Sequence, residues 1–172
     1  MTKKSLFRTI AVLVAAALYV GLDQWTKALA ARYLPDVPFV LIPGLFELHY
    51  STNTGAAFGL GAGGRWLLVA LTLAILAVIV WVFVTGKLRG VWATIGGTLV
   101  LAGGVGNLID RAFVGRVTDF LYFKLIDFPI FNVADCGVVV GAIMLLIYFL
   151  FLYKEAPRGT ADTEPPAGPA AG

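Results

Sequence analysis

WLLVALTLAILAVIVWVFV, Trp66 to Val84, is a run of 19 residues without a charge. As a helix it would span roughly 28 Å, close to the thickness of a bilayer's hydrocarbon core. It is apolar on every side, whereas a core helix of a small soluble domain needs only one apolar stripe. The stretch therefore reads as a membrane span. Three further apolar runs lie at about residues 6–22, 91–109 and 134–153. With 59% hydrophobic and only 13% charged residues, the chain has little material for a soluble surface. The fold class this predicts is an all-α membrane protein of four transmembrane helices. A small β-containing extracytoplasmic cap over residues 35–65, broken by Pro and Gly, completes it. Residues 1–155 read as a single integral membrane domain. Residues 156–172, rich in Pro, Gly and Ala, read as a disordered cytoplasmic tail.

The first run, preceded by Lys3, Lys4 and Arg8, also has the form of a signal peptide. Against that reading, Asp23 and Lys27 would fall in the cleavage region and three spans follow. Orientation follows from basic residues in short flanks. Lys3, Lys4 and Arg8, then Lys87 and Arg89, then Lys154 and Arg158 share one side of a four-span chain. The other side carries six basic residues mixed with seven acids over longer loops. The bias places both termini in the cytoplasm. Trp25, Trp66, Trp81, Trp92, Tyr148 and Tyr153 lie mostly near run ends, as interfacial anchors do. The net charge of +3 is accounted for by the cytoplasmic flanks, so no nucleic-acid partner is expected. The single cysteine, Cys136, excludes an intramolecular disulfide, and the lone His49 reads as a surface or packing residue.

The polar residues gather on the extracytoplasmic side: Asp23, Lys27, Asn53, Asn107, Asp110, Arg111, Arg116, Asp119, Asp127, Asn132 and Asp135. Ionisable groups at the edge of apolar spans are functional candidates. Asp23 and Lys27 are four apart; alone they read as a helix-surface ion pair, or else as a charged rim to a site. In GGVGNLIDR, Gly103 to Arg111, the glycines Gly103 and Gly104 allow a helix or a substrate backbone to approach closely. Asn107 and Arg111 share a helix face there.

Asp119 and Asp135 lie sixteen residues apart, the first expected on an outside loop and the second at the opening of the fourth span. The segment between them, which contains Pro129, is long enough to bring them together. Two carboxylates in one site do not both ionise cheaply, and the pair then holds a single proton near neutral pH. That is the arrangement with which aspartic proteases activate water and protonate a scissile carbonyl.

Five segments in order, DQWTK (Asp23–Lys27), NTGAAF (Asn53–Phe58), GGVGNLIDR, GRVTDF (Gly115–Phe120) and FNVAD (Phe131–Asp135), resemble the motif boxes of the lipoprotein signal peptidases. These are bacterial membrane aspartic proteases, the signal peptidase II family. The resemblance covers residues 20 to 140 or so. It implies that Asp119 and Asp135 form the catalytic dyad and that Asn53, Asn107, Arg111 and Asn132 line the site. Asp23, Lys27, Gly103 and Gly104 belong to its supporting positions. Cys136 departs from the serine or other small residue expected beside the dyad. The implied reaction is removal of signal peptides from prolipoproteins, just before a cysteine carrying a diacylglyceryl group. No cluster of His, Cys and carboxylates has metal-ligand spacing, so no cofactor or metal is expected, and the protein is expected to be a monomer of the bacterial inner membrane. Its partners are its substrates and membrane lipids, and its site is near the extracytoplasmic surface.

Two readings from other classes compete. A Mg²⁺-dependent lipid-headgroup transferase would use Asp110, Asp119 and Asp135 as ligands. A small proton-relaying transporter subunit would carry ionisable residues at mid-span, but all four runs are uncharged through their centres.

Overall fold

The structure, a computed structural model, describes residues 3–55, 64–86 and 90–153. The tail, the basic residues Lys87, Arg89, Lys154 and Arg158, and Ala56 to Phe58 of the NTGAAF segment lie outside the described residues. Four long apolar helices and one three-stranded antiparallel sheet make up the fold: α1 (Lys3–Tyr33), β1 (Phe39–Ile42), β2 (Phe46–Asn53), α2 (Arg65–Val84), α3 (Val91–Ile109), β3 (Val117–Phe123) and α4 (Val133–Ile147). A π-helical turn, Asp110–Val114, extends α3, and a second, Tyr148–Leu152, extends α4.

The helix α1 continues without a break past residue 22, because no Gly or Pro interrupts it between Leu22 and Leu34. Pro35 then forbids further helix. Its 31 residues reach about 46 Å, well beyond a hydrocarbon core of about 30 Å. Large apolar side chains such as Phe7, Leu18, Leu67, Leu71, Ile143 and Leu146 stand exposed along the outer faces of α1, α2 and α4. In water this would be an aggregation surface; in lipid it is the solvated one. The four tryptophans are also exposed, whereas Tyr148 is buried, edge-on against Phe149 and Tyr153.

The interior belongs to α3, which packs against each of the other three helices. Its buried residues are small: Ala93, Gly96, Gly97, Thr98, Ala102, Gly103 and Gly106 among them. Helices associate in lipid without a hydrophobic drive, so close backbone approach supplies the attraction. A Cβ on Gly103 would stand 2.3 Å from the Ala134 carbonyl oxygen, and one on Gly141 of α4 would stand 2.5 Å from that of Gly96. Gly104 faces α2 instead, against Leu76.

Asp119 sits on a strand, not on the loop that the sequence suggested. VTDFLYF is rich in β-branched and aromatic residues, and it pairs antiparallel with β2, Ser51 opposite Asp119. The chain then turns back so that Phe131 and Leu121 exchange backbone hydrogen bonds of 3.0 and 2.8 Å. That bridge sets the residue before α4 beside β3.

Replacing Gly103 with Ala should lower the melting temperature in detergent by several degrees, an effect of about 1–3 kcal/mol from overpacking. Gly21→Ala, where a new Cβ meets nothing within 4 Å, is the control and should leave melting unchanged or slightly raised.

Candidate active site

Asn132 is the N-cap of α4, with extended backbone (φ −136°, ψ −178°). Its side-chain oxygen accepts from the Asp135 backbone N–H at 2.9 Å, and Asp135 Oδ2 accepts from the Asn132 N–H at 3.2 Å. This reciprocal pair is a capping box with aspartate at its third position. The rest of Asn132 faces β3. Its Nδ2 donates to Asp119 Oδ1 at 2.6 Å and more weakly to Asn107 Oδ1 and the Thr118 carbonyl. One fully buried asparagine therefore holds both carboxylates.

Asn107, near the end of α3, donates from Nδ2 to Asp135 Oδ1 at 2.7 Å. Its oxygen accepts from Lys27 Nζ at 2.9 Å. Lys27 is only 4% exposed, and its ammonium also pairs with Asp23 Oδ2 and Asp110 Oδ2, each at 2.8 Å. Asp23 is fully buried and caps the Ala134 N–H at 2.8 Å. The Asp23–Lys27 pair is thus neither a surface ion pair nor an exposed rim. It is a buried joint tying α1 to α3 and α4. The i,i+4 spacing is the same in either case, and what differs is the small face of α3 opposite it. A Cβ on Gly106 would come 2.6 Å from Asp23 Oδ2.

The π-helical turn separates two neighbours. Asp110 turns to α1, taking Lys27 and Gln24 Nε2 (3.0 Å). Arg111 turns the other way and donates from Nη2 to the Gly55 carbonyl at 3.0 Å, within electrostatic reach of Asp119 and Asp135. Asn53 ends β2; its oxygen accepts from the Gly55 N–H at 2.8 Å while its side chain also hydrogen-bonds Asp119. Burial, and next the negative charge of Asp135, push the Asp119 carboxyl up to about 6. The hydrogen bonds from Asn132 and Asn53 oppose this and are outweighed.

Of the residues expected at the site, Asn53, Asn107, Arg111 and Asn132 surround Asp119 and Asp135, and Asp23 and Lys27 stand one layer behind. Gly103 and Gly104 serve helix packing. Asp110 does not join the two carboxylates, which removes the three-aspartate ligand set of the transferase reading. Two further residues belong to this network that the sequence pattern does not single out, Gln24 and Tyr19. Gln24 donates to Asp110, Asp23 and the Gly106 carbonyl, and the Tyr19 hydroxyl donates to the Val133 carbonyl at 2.7 Å. The only sequence signal for Gln24 was its place between Asp23 and Lys27.

Residues 15–151 match the sequence profile described as Signal peptidase (SPase) II. The chain belongs to the signal peptidase II family. Its relatives include the lipoprotein signal peptidase of Enterococcus faecalis, 38% identical over 149 residues that cover 86% of this chain and 92% of that protein. That of Brevibacillus brevis is 42% identical over 140 residues, covering 78% and 92%. Among solved structures, a bacterial membrane enzyme determined in meso at 2.3 Å resolution superposes with a TM-score of 0.76 at 31% identity, over 81% of this chain and 87% of that one. Membership in the signal peptidase II family makes the chain a membrane-embedded peptidase with several spans.

The raised Asp119 carboxyl carries a consequence for stability. Between about pH 4 and 6 the folded state binds more protons than the unfolded one, so stability is full below this window and declines as pH rises through it. Asp119→Asn keeps an oxygen for Asn132 and removes the charge. Its melting temperature at pH 7 should rise by several degrees, an effect of no more than about 3 kcal/mol, and the decline between pH 4 and 6 should flatten. Melting curves of both proteins across that range check this.

Proposed function

We propose that this signal peptidase is an aspartic endopeptidase acting on diacylglyceryl-modified prolipoproteins, with Asp119 and Asp135 as its catalytic dyad. The observation that carries this reading is the double grip of Asn132, whose side chain holds Asp119 and whose backbone N–H holds Asp135. Two carboxylates so placed share one proton. The ionised one takes a proton from water as its oxygen attacks the scissile carbonyl, and the protonated one donates to the carbonyl oxygen. Arg111 and Asn53 stand at the rim, where their donors suit the backbone carbonyls of an extended peptide.

The substrate follows from the bulk structure. The start of α1 and the end of α4 lie at one end of the bundle, and the dyad lies at the other, where α3 ends and α4 begins. With the basic start of α1 in the cytoplasm, the dyad faces the extracytoplasmic leaflet. Two acyl chains on the substrate cysteine fix the scissile bond at that interface. Every group of the proposed site lies within one chain, which suits an enzyme that acts as a monomer surrounded by lipid.

The test is incubation of the membrane-inserted protein with a lipidated prolipoprotein and an unlipidated control. Release of the signal peptide from the lipidated form alone is expected. Asp119→Asn and Asp135→Asn should each reduce cleavage by about 10³-fold or more while remaining in the membrane. Excess EDTA should leave the rate unchanged. Full activity in either variant ends the dyad reading, and loss in EDTA with rescue by Mg²⁺ ends the metal-free one.

A further inference from the structure

The two asparagines at the dyad are each pinned by a partner of a single polarity. Lys27 has only donors, so it fixes the oxygen of Asn107 towards itself and the amide NH₂ towards Asp135. The Asp135 backbone N–H likewise fixes the oxygen of Asn132, which turns its NH₂ towards Asp119. Neither amide can flip without setting donor against donor. The result is unequal. Asp135 has a donor on each oxygen, one of them a backbone N–H, and it sits in the first turn of α4, where the helix dipole favours an anion. Asp119 lies on a strand, away from any helix terminus, and is held by the side-chain amides of Asn132 and Asn53.

Charge balance adds a second constraint. The cluster holds four carboxylates, Asp23, Asp110, Asp119 and Asp135, against two cations, Lys27 and Arg111. The other titratable groups near Asp135 are Tyr19 of α1 and Cys136 of α4. Lys27 already serves Asp23 and Asp110, so a proton on one member of the dyad relieves the excess of negative charge.

We propose that, in the singly protonated form of the dyad that carries out catalysis, Asp135 is the ionised base and Asp119 the carboxylic acid, and that Lys27 imposes this asymmetry through Asn107. The inference rests on the dyad reading above and assigns its two roles. In the first step the Asp135 carboxylate takes a proton from water, the water oxygen bonds to the scissile carbon, and the Asp119 proton passes to the carbonyl oxygen. In the second the C–N bond breaks, Asp135 gives its proton to the leaving nitrogen, and Asp119 recovers one from the diol. Lys27 touches no reacting atom; it is a positioning residue.

Two measurements test this. The first treats the wild-type protein at about pH 5.5 with a hydrophobic carbodiimide, which reacts with protonated carboxyls, and maps the adduct by mass spectrometry. The adduct is expected on Asp119; an adduct confined to Asp135 overturns the assignment while leaving the dyad intact. Activity in Asp119→Asn and Asp135→Asn would instead overturn the dyad itself. The second uses Lys27→Met combined with Asp110→Asn, which removes one charge of each sign and leaves Asp23 its bond to the Ala134 N–H. Melting in detergent establishes that this variant folds. Its kcat/KM profile should show the acid limb displaced upward by about one pH unit, hence about tenfold lower activity on that limb, with less loss at higher pH. A folded double variant with the wild-type profile overturns the role of Lys27.

Discussion

A lysine ammonium almost sealed from solvent inside a membrane protein must be surrounded by acceptors, and this requirement organises the upper half of the bundle. Lys27 has three: Asp23 from its own helix, Asn107 from α3, and Asp110 from the π-helical turn that extends α3. Removing Lys27 alone would leave Asp23 and Asp110 buried without their counter-charge, a defect worth several kcal/mol. The register of α1 against α3 is therefore set by charge, in a medium where apolar side chains slide past one another at little cost. Asp23 extends the constraint to α4 through the Ala134 N–H. The start of α4, with Asn132 and Asp135, inherits its position from a lysine on another helix.

Below this layer the helices are held differently. The α3–α4 contact at Gly96, Gly103 and Gly141 is backbone against backbone, too close for any side chain. Such contacts are short-ranged and shape-specific, and they fix distance well and rotation poorly. The polar layer supplies the rotation. The two kinds of contact are complementary, and the site is built where the second takes over from the first.

The sequence revealed these layers unequally. Uncharged runs such as Trp66–Val84 announce spans because lipid asks for apolarity on every face. The strand at Val117–Phe123 was harder to see: a search for helical periodicity between the two aspartates passes over a short alternating segment. Asp23 and Lys27 were visible as a pair but not as a buried one, since burial is decided by Gly106 on a distant helix. The spacing of three between Asn132 and Asp135 is a capping-box signature in the sequence itself. That the same asparagine also reaches Asp119 depends on the Leu121–Phe131 bridge, which no local pattern encodes.

The apolar belt on α1, α2 and α4 has a kinetic meaning as well. Side chains such as Leu67, Leu71, Ile143 and Leu146 confine the molecule to a two-dimensional liquid. The proposed substrate, tethered there by acyl chains, would be met by lateral diffusion, and its effective concentration would be a number per area of bilayer. Diluting the aqueous phase leaves that number untouched, while adding empty lipid or detergent lowers it. Rates for such an enzyme scale with the mole fraction of substrate in the film, and the amount of inert amphiphile becomes a kinetic variable in its own right.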